Sequence, residues 1–489
     1  LKPLPIKYLL AALSAILLIL AFPRFDLTFL APVALAPLLV AVERERRPFH
    51  SFLTGYVCGV VYWFGVCYWI QFVLAVYGGI GATAGWAVFT LFCLVKALHM
   101  GFFALGAGFV MRTGWAIPGV AALWVAIEAT HGLLGFAWLT LGNAGIEMGI
   151  PMRLAPYTGV YGLSFVFALM SAALAIAVLR RPRRQLLWVV ALPLLILLPR
   201  LPDFQRGAET AVLAQPNISD TVEWTPQTVA KLEQRLVSLS MQAVLSEKQQ
   251  APELLAWPEV PAPLYADNPM FLKVAADLAR VTRTWFLAGV VGHQPDGGPL
   301  NSALLVAPSG EVIGRYDKVH LVPFGEFVPW PFGFANKIST EIGDFRPGTQ
   351  VVVLPIGSHR IGTFICYESV FPNFVRQFAA NGAELLVNIS NDSWFGKSAA
   401  RVQHLKIVRM RAAENRRWLL RSTNDGITAT IDPAGRLLGT LPNYVESASR
   451  TGYSYITEQT FYTRHGDWFP VLCAICAAAV VAAALAKWR

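Results

Sequence analysis

Charge is what this sequence has least of. Only 14% of its 489 residues are Asp, Glu, Lys or Arg, while 55% are hydrophobic. Soluble domains carry roughly 25% charged residues, so an ordinary water-soluble enzyme is excluded. Metal-ligand spacing is missing too. The eight histidines are scattered, and His320 and His404 have no partners at the separations a metal site needs. No metal and no other cofactor is expected, and no glycine-rich phosphate loop occurs. Cysteine is sparse, with six in all. Cys58, Cys67, Cys93, Cys473 and Cys476 lie in apolar runs, where small polarizable residues pack readily. Cys473 and Cys476 form a C-x-x-C, but inside an apolar helical pattern that does not suit redox exchange. Cys366 alone falls in a water-facing stretch.

The shortage of charge is confined to the ends. Apolar residues concentrate in the first 200 positions and the last 22, whereas 206–465 reads as a globular α/β domain. About 20 apolar residues span a bilayer as a helix. The candidate spans are about 7–22, 27–42, 52–75, 80–111, 115–133, 156–179, 185–200 and 467–487. The expected organisation is a transmembrane bundle of seven spans at 1–205, a catalytic domain at 206–465, and a C-terminal transmembrane helix at 466–489, making about eight spans. Residues 134–155 are apolar but broken by glycine and proline, which favours a loop or partial re-entry over a ninth span. Lys96 and His99 fall inside the fourth span, where ionisable groups are costly. Lys96 is expected to snorkel or to face the bundle interior.

The net charge of +10 has a topological origin. Lys2, Lys7, Arg44, Arg46, Arg47, Arg112, Arg180, Arg181, Arg183, Arg184, Lys487 and Arg489 lie between or beside the apolar runs, against only Glu43 and Glu45. That excess accounts for the whole net charge, so no nucleic-acid partner is expected. Short Lys/Arg-rich loops stay cytoplasmic. With the N-terminus inside, eight spans keep all of these loops inside and put 206–465 on the outer face, the periplasm of a Gram-negative cell. Reading residues 1–22 as a cleaved leader is weaker, because A-F-P-R-F offers no small-x-small site.

The middle region alternates strand and helix signals. Strands are expected at 211–215, 254–259, 285–291 and 384–390, with helices at 227–247, 269–284, 370–380 and 400–415. SALLVAPSGEVIGRYD and VVVLPIGSHRIGTFIC read as hairpins, and WLLRST, ITATIDPAGRLLGTL and a last edge strand follow. Such a pattern favours a layered α/β sandwich.

Cys366 ends the strand 360–365, and Pro372 suits the first turn of a following helix. A thiol at such a junction gains thiolate character from the helix dipole, although a buried structural cysteine would fit the position as well. Glu259 closes the apolar strand LLAWPE, where partial desolvation suits a general base; alone it would pass for a solvated strand-end carboxylate. Lys318, in RYDKVHLVPFGEFVPW, follows a hairpin strand, where a fixed ammonium stabilises an oxyanion; alone it would pass for a surface lysine.

Taken in this order, with NISNDSWFG at 388–396, these segments resemble the nitrilase superfamily, whose members use Glu, Lys and Cys in amide or acyl chemistry. Combined with the membrane spans, the pattern is similar to that superfamily's membrane-embedded branch, the apolipoprotein N-acyltransferases. The resemblance implies an αββα sandwich facing the periplasm of a bacterial inner membrane. It implies catalytic roles for Glu259 in WPEV as base, Lys318 as oxyanion lysine and Cys366 in FICYES as nucleophile. It also implies supporting roles for Glu326 of PFGE, which would orient Lys318, for Tyr367 and Glu368 beside the nucleophile, and for Trp224 in QPNISDTVEW. The partners implied are a phospholipid acyl donor, a diacylglyceryl-cysteine lipoprotein acceptor and membrane lipid. Trp330, Phe332 and Phe334, on the proline-broken stretch 327–335, suit a lid resting on the lipid surface, burial against the sandwich being the alternative. Two rival functions remain: a tethered amidase with water as acceptor, and a transporter or binding protein with a degenerate hydrolase domain.

Overall fold

The computed structural model describes residues 5–133, 136–204, 207–219, 222–246, 251–323, 325–327 and 345–488. In the N-terminal region the longer helices are α1 (Ile6–Leu20), α2 (Ala36–Arg44), α3 (Pro48–Val66), α4 (Gly81–Val110), α5 (Ala116–Leu133) and α6 (Val160–Val178). Among the described residues, α3, α4, α6 and the C-terminal helix beginning at Trp468 are long and apolar enough to cross a bilayer.

Several apolar runs depart from the expected spans for identifiable reasons. The run 27–42 is split into a 3-10 turn at Thr28–Val33, containing Pro32, and the nine-residue α2, whose first turn holds Pro37; each proline removes a helix donor. The run 185–200 forms a 3-10 helix, Arg183–Leu197, with Pro193 inside. The run 52–75 stops as α3 at Val66, and the chain then turns through a π-helical segment, Val73–Tyr77. Within 134–155 lie two 3-10 turns, Leu141–Glu147 and Pro151–Leu154. Lys96 is buried, as one of its two expected placements required. Its ammonium donates to the Phe136 carbonyl at 3.1 Å and lies over the Trp63 ring, while the His99 ring stands edge-on to His131.

The strands are β1 (Glu209–Gln215), β2 (Leu254–Ala256), β3 (Trp285–His293), β4 (Pro299–Val306), β5 (Val312–Asp317), β6 (Val353–Ile356), β7 (His359–Ile365), β8 (Leu385–Ser390), β9 (Leu419–Thr423), β10 (Ala429–Ile431), β11 (Leu437–Thr440) and β12 (Ser447–Tyr453). Between them run α7 (Pro226–Leu245), α8 (Pro269–Thr282), α9 (Pro372–Ala380) and α10 (Ala400–Asn415), and α11 (Trp468–Trp488) closes the chain. Two six-stranded sheets result, ordered β12-β1-β2-β3-β4-β5 and β11-β10-β9-β8-β7-β6. Each has three parallel strands at its centre, β1-β2-β3 and β7-β8-β9, with antiparallel flanks.

Side chains alternate across a strand, and β1 shows the result. Val212 and Ala214 join Leu236 and Val244 of α7 and Phe271 and Leu278 of α8, while Ala211 and Leu213 join the core that contains Leu386 and Leu420 of the second sheet. Phe374 and Phe378 of α9 enter that same core. At Gly362 of β7 an added Cβ would lie 2.6 Å from Phe378 Cβ, so glycine is what allows α9 to approach.

α10 joins this domain to the helical region. It is polar along its length, yet every residue except Val402 is buried. Gln403 accepts from Trp138 Nε1 at 2.7 Å and from Trp69 Nε1 at 3.3 Å, and its amide donates to the Pro23 and Val66 carbonyls. Lys406 pairs with Asp26 at 2.5 Å, Arg409 pairs with Glu147, and Glu414 accepts the Val160 N–H at 2.9 Å.

Candidate active site

Strand carboxyl ends deliver the site residues, three of the four strands being parallel ones and β5 an antiparallel edge strand. Glu259 follows β2, Lys318 follows β5, Cys366 follows β7, and Asn391 and Asp392 follow β8. Glu259 stands in a tight corner, where an added Cβ on Gly289 would meet the Pro258 carbonyl oxygen at 2.1 Å and Glu259 Cα at 2.8 Å. Only glycine in β3 leaves room for the Glu259 backbone.

Lys318 is the hub of a buried charge cluster. Its Nζ lies 2.9 Å from Glu259 Oε1 and 2.9 Å from Glu326 Oε1. Asn301 Nδ2 donates to the same two oxygens at 2.7 Å each. The second oxygens are also engaged, Glu259 Oε2 by the Asn391 N–H and Glu326 Oε2 by the Val322 N–H, both at 2.8 Å. Burial alone would discharge such a lysine, but the two carboxylates outweigh it and hold the ammonium well above its usual range. Glu326 is thus one of the two carboxylates that fix the position of the Lys318 ammonium.

Cys366 is buried and carries φ +50°. A left-handed backbone at a non-glycine residue costs about 1–3 kcal/mol and persists only where the surroundings impose it. The residue opens a 3-10 turn, Cys366–Val370, ahead of α9. Burial pushes the thiol up and Glu259 adds to that rise, while Lys318 and the Ser390 hydroxyl oppose it. The net direction is upward, opposite to the lowering that a helix dipole alone would give. α9 begins six residues beyond the sulfur's residue, and burial dominates. A thiol so raised needs a base to react, and Glu259 is the carboxylate whose charge is felt at the sulfur.

Glu368 is a strut between the lysine and cysteine segments. Its Oε1 accepts from Tyr316 OH at 2.6 Å, Val319 N–H at 2.7 Å and His320 N–H at 3.2 Å, and its Oε2 accepts from Ile365 N–H at 2.7 Å. Burial nevertheless raises its pKa to about 7. Tyr367 is buried, its ring 6.3 Å from Phe136 of the helical region.

The structure thus brings Glu259, Lys318, Glu326 and Cys366 together, with Glu368 and Tyr367 supporting them. Trp224 is 46% exposed, just ahead of α7. Trp330, Phe332 and Phe334 fall outside the described residues. Sequence reasoning missed Asn301, although an Asn within the apolar strand PLNSALLV is a signal. It also missed Asp392, His404 and Arg421, which are fully buried and lie far apart in the chain. No group of three or more metal-ligating side chains occurs among the described residues.

Comparison with known proteins places this geometry. The carbon-nitrogen hydrolase family matches residues 211–452, and the apolipoprotein N-acyltransferase N-terminal domain matches residues 14–173. The apolipoprotein N-acyltransferase of Geobacter metallireducens is 37% identical over 97% of this chain and 94% of its own. That of Azotobacter vinelandii is 34% identical over 94% of this chain and 92% of its own. Among solved structures, Saccharomyces cerevisiae Nit3, a member of branch 10 of the nitrilase superfamily, covers 50% of this chain and 90% of its own at 17% identity and a TM-score of 0.39. A membrane-helical region and a nitrilase-type domain in one chain, with near full-length identity of this order, establish that the chain belongs to the apolipoprotein N-acyltransferase family of the nitrilase superfamily.

Proposed function

We infer that this enzyme moves a fatty-acyl chain from a membrane phospholipid, through a thioester on Cys366, to the N-terminal amine of a diacylglyceryl-cysteine lipoprotein. The observation that carries this reading is the buried Lys318–Glu259 pair, whose charges reach the thiol of Cys366 on its left-handed backbone. Glu259 takes the thiol proton, and the sulfur attacks the ester carbonyl of the lipid. The oxyanion is held by Lys318 and the Tyr367 N–H, the backbone donor next to the nucleophile. On collapse the carbon–oxygen bond breaks, and the departing lysophospholipid takes the proton from Glu259. The lipoprotein amine then attacks the thioester and loses its proton to Glu259, and the sulfur leaves as a thiol, giving an amide.

Residues 1–205 and 466–489 form the membrane part in this reading, with about eight passes, and 206–465 face the periplasm. Contacts within the helical region support that orientation. Lys7 pairs with Glu45, Arg181 pairs with Glu43, and Arg112 donates to the Glu43 and Glu45 carbonyls, which gathers the basic loops at one end. The opposite turns, Pro23 and Asp26, meet α10 of the catalytic domain. Such an arrangement matches the positive-inside rule in a bacterial inner membrane.

Mass spectrometry of the full-length protein incubated with phospholipid tests the reading. The expected result is a fatty-acyl adduct on the Cys366 peptide that persists until an amine acceptor is added and is missing from Cys366→Ala. Turnover by water alone would instead indicate a tethered amidase, and activity retained in Cys366→Ala would remove the catalytic reading.

A further inference from the structure

Behind Cys366 lies a set of buried polar groups that the acyl-transfer scheme leaves unused. His404 of α10, Asp392, Arg421 and Ser369 are all fully buried. His404 Nε2 lies 3.1 Å from the Cys366 carbonyl oxygen and 2.9 Å from Ser369 Oγ. Its Nδ1 lies 3.2 Å from Asp392 Oδ1 and 3.2 Å from Arg421 Nη2. Arg421 grips both Asp392 oxygens, at 2.9 and 2.8 Å, and the Ser390 hydroxyl donates to Oδ1 at 2.9 Å.

These partners dictate where the ring proton sits. A carbonyl oxygen only accepts, so a hydrogen on Nε2 makes its 3.1 Å contact with the Cys366 oxygen a bond, whereas a bare Nε2 could accept from Ser369 but would set two lone pairs face to face. Nδ1 faces the Arg421 donor and the Asp392 Oδ1 acceptor, both at 3.2 Å; left bare it accepts from Arg421, whereas a hydrogen there would bond Asp392 but oppose the guanidinium and strip Nε2 of its donor. Burial and the Arg421 charge lower the affinity of His404 for a second proton, and Asp392 only partly offsets them, so the ring stays neutral. The ring is also wedged between Trp138 of the helical region and Phe395, with centroids 5.7 and 5.6 Å away.

Holding that carbonyl has a geometrical consequence. The unit joining Cys366 to Tyr367 is a planar peptide, and in the trans form its C=O and N–H point in opposite directions. A donor fixed on the carbonyl side therefore aims the N–H on the other side. The left-handed φ at Cys366 needs such a restraint. We propose that His404 is a positioning residue for acyl transfer: its Nε2–H holds the Cys366 carbonyl and so directs the Tyr367 N–H at the oxyanion. The proposal rests on the acyl-transfer reading above. Asp392 and Arg421 act one step further out, by fixing the tautomer of the ring.

The test compares His404→Leu and His404→Gln with wild type, each as the full-length enzyme in phospholipid vesicles. Leucine fills much of the ring's space but has no donor, whereas the glutamine amide reaches the place of Nε2. Two rates are read: acylation of Cys366 by phospholipid, and alkylation of Cys366 by iodoacetamide, a reaction that builds no oxyanion. His404→Leu is expected to slow acylation about 10²–10³-fold, the loss that follows removal of an oxyanion donor. KM for phospholipid and the alkylation rate stay near wild type, and His404→Gln recovers most of the acylation rate. Wild-type acylation in His404→Leu overturns the proposal. So does a parallel loss of acylation and alkylation in both variants, which would reduce the ring to a support of the fold. A wild-type enzyme that never acquires an acyl group on Cys366 overturns the acyl-transfer reading itself, so the two failures are told apart.

Discussion

Replacing Lys318 by methionine keeps the length of the side chain and removes the charge that holds the site together. Glu259 Oε1 and Glu326 Oε1 both lie 2.7 Å from Asn301 Nδ2, so they are at most twice that distance apart. Two unit charges about 5 Å apart repel by about 3 kcal/mol at an effective dielectric constant near 20. That figure agrees with the roughly 3–5 kcal/mol lost when one partner of a buried ion pair is removed. For a domain of this size each kcal/mol moves the melting temperature by about 2–4 °C, so Lys318→Met should melt about 10 °C below wild type. The assay is thermal unfolding of the detergent-solubilised protein followed by tryptophan fluorescence. Combining Lys318→Met with Glu259→Gln and Glu326→Gln removes both negative charges and should restore most of the lost stability, though not activity. A single variant that melts with wild type, or a triple variant no more stable than the single one, would refute the reasoning.

Two further outcomes are expected. Burial raises the Glu368 pKa from its ordinary 4.5 to about 7, so the folded protein binds that proton more tightly than the unfolded chain. The contribution to stability therefore falls as pH rises from about 4.5 to about 7. Glu368→Gln should remove the decline, a difference from wild type of about 3 kcal/mol between pH 4.5 and 8, measured by denaturant unfolding at the two pH values. Gln403→Leu strands the Trp138 and Trp69 indole donors and two backbone carbonyls, each costing about 1–3 kcal/mol when buried and unpaired. Limited proteolysis should then cut within 136–147 in the variant while wild type resists.

The catalytic domain was largely legible in the sequence because its strands carry short-range signals. The hairpin read at VVVLPIGSHRIGTFIC is β6 and β7 turning at Gly357, whose φ of +58° a two-residue hairpin turn requires. The strands and helices expected across 211–453 all form, with ends shifted by a few residues. The approach of Lys318 to Glu259 came from likeness to a family, since 59 residues separate them and no local pattern links them. The helical region was less legible. Hydropathy reports apolarity but not backbone geometry, so 27–42 and 185–200 look like spans although Pro32, Pro37 and Pro193 divide or tighten them. Residues 138–146 look like an interfacial loop because of their glycines, yet they are buried, packed where bundle and catalytic domain meet. His404 was invisible for a related reason: its partners Asp392 and Arg421 lie 12 and 17 residues away and meet it only once β8, β9 and α10 have assembled.

The burial of α10 ties the evolution of the two halves together. A soluble relative can let one side of such a helix drift with the solvent, but here Gln403, Lys406 and Arg409 answer to the turns of the membrane region while His404 answers to the nucleophile. Trp138 touches both systems, bonding Gln403 and packing on His404. A change made in the membrane half can therefore reach the backbone of the nucleophile within two side chains, and grafting this catalytic domain onto a foreign anchor would mean rebuilding the floor of its active site.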